Sequence, residues 1–256
     1  MTFLDDVLKA KRREVRSLRE HPPAFAGGTD SGFARALKGP GLSVIAEIKR
    51  RSPSKGVLAP DLDAARTARA YAAGGAVAIS CLTDREFFGA HPDDLQLART
   101  ASLPVLRKDF LIDEVQLDES VSRGASAVLL IVRILDNARL KALLAYAESR
   151  GLHSLVEVHD EAEIDRALAE GASIIGVNNR DLGTLVVDPG RALRLRPRIP
   201  KGIISVAESG VATRDDVKRI ENAGFDAVLI GEALATSRDP AAKLRELTGQ
   251  ARVVSR

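Results

Sequence analysis

The sequence is poor in cysteine and has no long apolar run. Its single cysteine, Cys81, excludes an intramolecular disulfide and is typical of a protein from a reducing compartment. No apolar run approaches the roughly 18 residues that span a membrane, and the first residues lack the apolar core of a signal peptide. We therefore expect a cytoplasmic protein without a membrane partner.

Aromatic residues are scarce as well, and the excess of positive charge is small. Acidic and basic residues nearly cancel to a formal net charge of +3, and both kinds are spread along the chain. Aromatic residues make up 4% of the chain, with no tryptophan, and do not alternate with the basic clusters Lys11-Arg12-Arg13 and Lys49-Arg50-Arg51 as a single-strand binder requires. We expect no nucleic-acid partner.

Histidine is scarce, and its positions do not suggest a metal site. Only His159 falls at the end of a predicted strand, whereas His21, His91 and His153 fall in loops or at a helix-strand junction. No spacing of His, Cys and carboxylate residues typical of a metal centre occurs. We interpret all four histidines as non-ligands and expect neither a metal ion nor a cofactor.

The sequence does contain a repeated alternation of short apolar runs and longer amphipathic segments. The runs predict strands at residues 43–49, 76–82, 104–108, 126–132, 154–158, 173–177, 203–207 and 226–230. The intervening segments predict helices near residues 62–73, 93–101, 113–123, 137–150, 160–170, 189–195, 214–223 and 239–248. Several of these helices end at a glycine, as at Arg123-Gly124 and Glu170-Gly171.

Eight strand-helix units predict an α/β fold, a (β/α)8 TIM barrel. Almost continuously apolar strands are typical of a parallel sheet covered by helices, and eight units in about 250 residues close such a barrel. An open, doubly wound sheet is the alternative, but no Gly-rich dinucleotide fingerprint follows the first strand. We expect residues 1–256 to form a single barrel domain.

A helical segment precedes the first strand. Residues 3–20 carry apolar side chains at spacings near three and four, with acidic residues in the first turn and arginines later. Pro22-Pro23 and Gly27-Gly28 then predict a loop. We expect residues 1–40 to be an N-terminal helical extension of the barrel.

Charged residues end the first predicted strand. Because side chains alternate along a strand, Glu47 and Lys49 point to the same face. A buried acid and amine must pair, and such a pair at a strand end is a candidate for chemistry, with a structural ion pair as the alternative.

Polar residues end the other predicted strands too. They are Ser80 and Thr83, Arg107-Lys108-Asp109-Phe110, Arg133, Glu157-Val158-His159, Asn178-Asn179-Arg180-Asp181, Glu208-Ser209-Gly210 and Gly231-Glu232. In a (β/α)8 barrel these ends meet at the face that carries the active site. We therefore expect a shared site.

The last two strand ends predict a phosphate site. Ser209-Gly210 and Gly231 offer backbone N–H groups that no large side chain obstructs, as loops seven and eight do in phosphate-binding barrels. The lysines and glutamates at the other ends suit proton transfer at a carbonyl. We expect burial near another cation to lower the pKa of a site lysine, and apolar walls to raise that of a glutamate.

The chain resembles the indole-3-glycerol-phosphate synthase family over nearly its whole length. The motifs that carry the resemblance are Glu47-Ile48-Lys49-Arg50-Arg51-Ser52-Pro53-Ser54, Leu106-Arg107-Lys108-Asp109-Phe110, Leu155-Val156-Glu157-Val158, Gly176-Val177-Asn178-Asn179-Arg180-Asp181-Leu182 and Ala207-Glu208-Ser209-Gly210. The resemblance implies a carboxy-lyase of tryptophan biosynthesis. It implies closure of the indole ring of 1-(2-carboxyphenylamino)-1-deoxyribulose 5-phosphate, with loss of carbon dioxide and water.

The resemblance also implies roles for individual residues. By this resemblance Lys108 is the general acid, and Glu157 is the base and acid of the dehydration. Lys49 engages the departing carboxylate, and Glu47 orients Lys49. The other residues that it places around the substrate are Phe88, Phe110 and Leu129 at the anthranilate ring, Asn178 and Glu208 at the sugar hydroxyls, Ser52, Ser209, Gly210, Gly231 and Glu232 at the phosphate, and Arg180.

Two positions depart from the family's pattern. Some members carry serine where this chain has Glu232, and a carboxylate beside a phosphate repels it. We therefore expect Glu232 to point away and to contribute only its backbone N–H. The loop Phe88-Gly89-Ala90-His91-Pro92 lacks the Gly-Ser often found there.

Three other functions stay open. One alternative is another phosphosugar barrel, such as phosphoribosylanthranilate isomerase, whose pattern is a Cys/Asp acid-base pair. In this chain Cys81 has no obvious partner for such a pair. A Schiff-base aldolase would use Lys108 as its nucleophile, and a non-catalytic barrel would only bind phosphate. In every case the expected partner is a phosphorylated small molecule, and we expect a monomer.

Overall fold

A closed barrel of eight parallel strands forms the centre of the molecule. The structure is a computed structural model that describes residues 2–23 and 32–249. The barrel strands are β1 (Ser43–Ile48), β2 (Ala78–Leu82), β3 (Val105–Lys108), β4 (Ala127–Ile131), β5 (His153–Val158), β6 (Ile174–Asn178), β7 (Ile204–Glu208) and β8 (Ala227–Ile230). Each strand pairs with the next one in the chain, and β8 pairs with β1, so the sheet has no edge. The predicted (β/α)8 barrel is confirmed.

Helices cover the outside of the barrel. They are α1 (Phe3–Glu20), α2 (Phe33–Ala36), α3 (Ala64–Ala73), α4 (Arg85–Phe88), α5 (Asp94–Ala98), α6 (Glu114–Ser122), α7 (Asn137–Ser149), α8 (Glu161–Ala169), α9 (Arg191–Leu195), α10 (Arg214–Asn222), α11 (Glu232–Ala235) and α12 (Pro240–Thr248), with 3-10 turns at Arg99–Ala101, Val132–Ile134 and Arg196–Arg198. Several N-cap side chains accept a hydrogen bond from a backbone N–H in the first turn of the helix, for example Asp63 from Arg66 and Asp136 from Arg139. Among the described residues, no helix is long and apolar enough to cross a membrane.

The period of two along each strand separates two apolar layers. Inward-facing residues fill the barrel, and they include Ile45, Leu106, Leu129, Leu155, Val206 and Leu229. The residues between them, such as Val44, Val128 and Val156, pack against the helices. Both faces of the strands are therefore buried, which explains why their sequences read as nearly continuous apolar runs.

Helix α1 lies across the ends of β2 and β3, as an addition to the barrel. Phe3 packs edge-on against Phe87 and Phe110, with ring centroids 5.4 and 6.5 Å apart. Lys11 reaches below the helix to Asp84 and Asp109, at 2.9 and 2.7 Å. The predicted helix over residues 3–20 is confirmed, and the predicted loop at Gly27-Gly28 lies outside the described residues. That residues 1–256 form one domain stays a prediction.

Two features near the strand ends are not indicated by the sequence pattern. A short hairpin, Arg51–Ser52 against Gly56–Val57, follows β1, and the one-turn helix α11 follows β8. Both are too short to show a hydrophobic period. Together they form part of the wall around the cavity at the carboxyl end of the barrel.

Candidate active site

The site lies directly above the apolar filling of the barrel. Glu47, Lys108, Glu157 and Glu208 each come two positions after an inward apolar residue, namely Ile45, Leu106, Leu155 and Val206. Because side chains two apart on a strand share a face, all four point into the barrel mouth. Four of the polar side chains that the sequence predicted at one face are therefore brought together, whereas Arg107 and Asp109 pair with each other and with residues outside the barrel mouth.

Lys108 lies between two glutamates from other strands. Its Nζ is 3.2 Å from Glu157 Oε2 and 3.3 Å from Glu208 Oε2. Burial opposes the charged lysine, but Glu157, Glu208 and Glu47 outweigh it and raise the pKa of Lys108 above its ordinary value. The expectation of a lowered pKa for this site lysine is wrong, because anions rather than another cation are its nearest charged neighbours. Lys108 is a protonated donor at neutral pH.

Glu157 is held in its ionised form. Burial opposes ionisation, but Lys108, His159 and a hydrogen bond from Asn178 outweigh burial and lower the pKa of Glu157. The Asn178 side chain is itself oriented, because its Oδ1 accepts the backbone N–H of Arg180 at 2.9 Å. Glu157 is therefore a base that is ready to accept a proton.

Glu208 differs from Glu157 although both contact Lys108. Burial is the largest cause that raises the pKa of Glu208, to about 8, and the nearby charge of Glu157 acts in the same direction against Lys108. Its Oε1 approaches Gly176 on β6 so closely that a Cβ there would lie 2.0 Å away. Glycine in the middle of β6 thus leaves room for this carboxyl group. A glutamate with a raised pKa was expected, and Glu208 is the one that has it.

Glu47 and Lys49 form the second ion pair of the site. Lys49 Nζ is 2.7 Å from Glu47 Oε1, which confirms that the two side chains share a face. Burial opposes ionisation of Glu47, but Lys49 and then Lys108 lower its pKa. A Cβ at Gly231 would lie 2.3 Å from Glu47 Oε1 and 3.0 Å from Lys49 Nζ. Gly231 is therefore required by this ion pair as well as by the predicted phosphate site.

Two cavities adjoin these side chains. The larger, of about 690 Å³, opens toward the ends of β7 and β8. Ser209, Gly210, Gly231 and Glu232 line it, together with Lys49 and Lys108. Ser209 and Gly210 both have left-handed backbones, with φ of 65° and 76°, which is unusual for serine. Asn179 holds this turn by donating from Nδ2 to Ser209 O at 2.9 Å.

Arg180 and Glu232 meet at the mouth of this cavity. Arg180 Nη1 donates to Ser54 Oγ at 3.0 Å, and its Nη2 is 3.7 Å from Glu232 Oε2. Glu232 Oε1 is 3.3 Å from Lys55 Nζ. The expectation that Glu232 points away is wrong, because its carboxylate is attracted by two cations that line the same cavity. Ser52 does not line the cavity; its Oγ accepts the Lys55 backbone N–H inside the hairpin.

A smaller apolar slot, of about 80 Å³, adjoins Lys108 and Glu157. The predicted residues Phe88, Phe110 and Leu129 all line it, with the two phenylalanine rings 6.3 Å apart. Leu82, Ile131 and Leu182 also line it. These three have no distinct sequence signal, because they look like ordinary strand or loop residues.

Several residues of the site were not predicted. Ser54 and Lys55 line the large cavity from the hairpin, and Lys243 lines it from α12. The signal that could have found the first two is their place in the charged loop after β1. His159 contacts Glu157, although its position at a strand end led only to its exclusion as a metal ligand.

The chemistry available here is that of paired acids and bases. Burial raises the pKa of the Cys81 thiol well above its ordinary value, so Cys81 is not a thiolate nucleophile. In residues 2–23 and 32–249, no cluster of three or more His, Cys, Asp or Glu side chains is arranged to hold a metal ion.

The chain is similar to known proteins over most of its length. Residues 4–247 match the family model described as indole-3-glycerol phosphate synthase. Among relatives of that name, the protein of Chlorobium phaeovibrioides is 49% identical over 249 residues, covering 93% of this chain and 96% of the relative. The protein of Mycolicibacterium smegmatis is 47% identical over 254 residues, covering 96% and 93%.

Solved structures show the same fold at much lower identity. The 3-hexulose-6-phosphate synthase of Salmonella typhimurium superposes with a TM-score of 0.65 at 16% identity, covering 82% of this chain and 98% of the other. This likeness concerns the barrel alone. The family match and the relatives at nearly half identity show that this chain belongs to the indole-3-glycerol phosphate synthase family.

Proposed function

We propose that this chain closes the indole ring of 1-(2-carboxyphenylamino)-1-deoxyribulose 5-phosphate, with loss of carbon dioxide and water, as a carboxy-lyase of tryptophan biosynthesis. The observation that carries the proposal is the position of Lys108 between Glu157 and Glu208, where the apolar slot meets the larger polar cavity. An aryl ring fits the slot, a phosphosugar fits the cavity, and the reacting carbons then lie beside Lys108.

Ring closure needs a proton donor at the ketone oxygen. The aryl carbon that carries the carboxylate attacks the ketone carbon, and the electron pair of the C=O bond goes to oxygen. Lys108 is suited to protonate that oxygen because its pKa is raised and its ammonium group is buried. The bond from that aryl carbon to the carboxylate then breaks, carbon dioxide leaves, and the electron pair of the bond restores the aromatic six-membered ring. Lys49, held by Glu47 at 2.7 Å, engages this carboxylate before it leaves.

Dehydration needs an acid and a base on the same substrate. The C–O bond of the new hydroxyl breaks as the oxygen takes a proton, and water leaves. A base then removes the proton from the neighbouring carbon, and the electron pair completes the aromatic five-membered ring. Glu157 is suited to be this base because its pKa is lowered and its Oε2 faces Lys108.

The rest of the substrate occupies the larger cavity and the smaller slot. We assign Asn178 and Glu208 to the sugar hydroxyls, Ser209, Gly210 and Gly231 to the phosphate, and Phe88, Phe110 and Leu129 to the aryl ring, because they line the two cavities on either side of Lys108. Arg180 and the backbone of Glu232 complete the phosphate end. Ser52 stays an assignment by resemblance, and its place in the hairpin does not support it.

A monomeric state stays a prediction. The single cysteine supports a reducing, cytoplasmic location.

The proposal is tested by following indole absorbance or fluorescence with the purified protein and the carboxyphenylamino-deoxyribulose phosphate. We expect turnover by the wild type, and a loss on the order of 10²-fold or more in Lys108→Ala and in Glu157→Gln, with unfolding transitions that show intact folds. A folded wild type that binds the substrate without turning it over would leave a non-catalytic phosphate-binding barrel.

The Schiff-base alternative has a separate test. Borohydride reduction in the presence of a phosphosugar traps a covalent adduct on a lysine nucleophile. We expect no adduct on Lys108, because its raised pKa keeps the amine protonated. An adduct at Lys108, found by peptide mass spectrometry, would replace the ring-closure mechanism with aldolase chemistry.

A further inference from the structure

His159 is a buried titratable residue to which the mechanism above gives no role. It follows Glu157 by two positions at the end of β5, and its side chain has no exposed surface. Nδ1 lies 3.1 Å from Glu163 Oε2, and Nε2 lies 3.5 Å from Glu157 Oε1. The imidazole therefore stands between two carboxylates, one on helix α8 and one in the site.

The contact with Glu163 fixes the orientation of the ring. Burial opposes ionisation of Glu163, but hydrogen bonds from His159 and Arg133 outweigh it and lower the pKa of Glu163. An ionised carboxylate only accepts hydrogen bonds, so Nδ1 donates to Glu163. Glu163 Oε2 also accepts the backbone N–H of His159 at 2.7 Å, and its Oε1 accepts from Arg133 Nε at 2.8 Å. The second nitrogen is thereby aimed at Glu157.

Glu157 Oε1 and His159 Nε2 face each other at 3.5 Å. Both atoms are buried, and within the described part of the chain neither makes a hydrogen bond of good geometry, the 3.5 Å contact between them included. Two facing lone pairs in a dry interior repel, and a proton on Nε2 turns that repulsion into a charge-assisted hydrogen bond. The other oxygen of Glu157, Oε2, lies 3.2 Å from Lys108 Nζ and faces the cavity.

We propose that His159 is a positioning residue for the reaction: its imidazole donates through Nδ1 to Glu163 and through Nε2 to Glu157 Oε1, and so holds Glu157 with Oε2 turned toward Lys108 and the substrate. This inference rests on the proposed function of Glu157 as the base. The arrangement resembles other sites in which a third group orients the catalytic base.

The pH dependence follows from all charged groups around Glu157. Lys108 from β3 and His159 from β5 favour the carboxylate, whereas Glu208 from β7 and Glu47 from β1 oppose it. Behind His159 stand Glu163 of α8 and Arg133 of the turn after β4. Loss of the His159 charge raises the pKa of Glu157, so the acid limb of the kcat profile moves to higher pH.

Two substitutions separate the two contacts of the ring. His159→Gln can place an amide N–H near the position of Nε2, and His159→Asn can place one only near the position of Nδ1. We expect kcat to fall by about tenfold or more in His159→Asn, and by less in His159→Gln, while KM stays within about twofold in both. The acid limb should move to higher pH in both variants, because both lack the charge.

The control is His153→Gln, a histidine change at the opposite end of the same strand, for which we expect wild-type kcat and KM. Thermal unfolding establishes that each variant is folded. A wild-type kcat in His159→Asn, equal losses in the two His159 variants, or a loss in KM alone would overturn the proposal.

A measurement without substrate keeps this inference separate from the proposed function. Nitrogen-15 NMR of the imidazole reports whether a proton sits on Nε2 of His159. We expect Glu157→Gln to shift the Nε2 resonance of His159 while the resonances of His153 stay unchanged. An unchanged His159 would overturn the proposal, whereas absence of turnover by the wild type would overturn only the proposed function.

Discussion

The residues Lys108 and Asp109 are neighbours in the chain, yet they belong to two different clusters of buried charge. Lys108 points into the barrel mouth with Glu47, Lys49, Glu157 and Glu208. Asp109 points outward, to a cluster beneath helix α1 that we call the brace cluster: Lys11, Glu14, Asp84, Arg107, Asp109 and Glu119. Both clusters hold lysine and carboxylates in the interior. The first lies at the two cavities of the barrel mouth, and the brace cluster lies beside a separate cavity of about 450 Å³.

The two clusters differ in how completely their oxygens are bound. In the brace cluster, Asp109 Oδ1 accepts from Lys11 Nζ and from the Phe110 backbone N–H, while Oδ2 contacts Arg107. In the site, Glu157 Oε1 and both oxygens of Glu208 are buried with no well-formed hydrogen bond among the described residues. The brace cluster has one such oxygen, Glu119 Oε2, but it lies 2.9 Å from Arg107 Nη2. The clearest difference is therefore Glu208, which lines the larger cavity and keeps both oxygens available to a ligand.

The largest expected effect comes from removing the positive charge of Lys108. Lys108→Met keeps most of the length of the side chain and removes the ammonium group that donates the proton. We expect kcat to fall by about 10²- to 10⁴-fold, because the ketone oxygen loses its acid. The unfolding midpoint should fall less than in the matched brace-cluster change, Lys11→Met, since Glu208, whose pKa is raised to about 8, binds a proton and leaves fewer buried anions without a partner. Steady-state kinetics and thermal unfolding check the two halves, and a large loss of stability would show that Lys108 is mainly structural.

The matched change in the brace cluster should give the opposite result. Lys11 is 2% exposed and contacts three carboxylates, so Lys11→Met leaves buried anions without their cation. We expect the free energy of unfolding to fall by about 3–5 kcal/mol, measured in urea. In the fraction that stays folded, kcat should fall far less than in Lys108→Met. Equal stability of the two variants would erase the distinction between the clusters.

The sign of the pH effect should also differ between the two regions. Folded Glu208 keeps its proton up to a pH of about 8, while its ordinary pKa is 4.5. Between these values the unfolded chain releases this proton and the folded protein keeps it, so the free energy of unfolding falls as pH rises. We expect Glu208→Gln to gain stability relative to the wild type as pH increases from about 5 to about 8.

Asp109 provides the opposite sign. Burial opposes its ionisation, but Lys11 and Arg107 lower its pKa below the ordinary 3.8. Its stabilising contribution is therefore full above that pH and is lost as pH falls. Asp109→Asn should be least stable relative to the wild type at neutral pH, and the difference should shrink in acid. Urea titrations at several pH values measure both slopes, and slopes of the same sign would contradict the pairing pattern of one cluster.

The sequence predicts the barrel well because the barrel depends on short-range patterns. Eight apolar runs, helix stops and the alternation of side chains suffice to place Glu47 beside Lys49 and the strand ends at one face. The pKa direction of Lys108 was not predictable, because it depends on which charges from three other strands lie closest. The contact of Lys11 with Asp109 joins positions 98 residues apart through a helix outside the barrel repeat. No local pattern indicates such a contact.

The smallest expected effect concerns the mouth of the larger cavity, where the two kinds of charge pairing meet. Glu232 pairs with Lys55 and Arg180, and all three side chains are at least partly exposed to solvent, so Glu232→Gln should change the free energy of unfolding by less than about 1 kcal/mol. It should nevertheless tighten the binding of inorganic phosphate several-fold, because the anion no longer competes with a carboxylate for the two cations. Calorimetric titration with phosphate measures this binding. The control is Asp215→Asn, because Asp215 is an exposed carboxylate that pairs with Lys218 on helix α10, away from the cavity. Unchanged or weaker phosphate binding in Glu232→Gln would show that Glu232 positions the two cations rather than competing for them, and the mouth would then resemble the brace cluster more than the site.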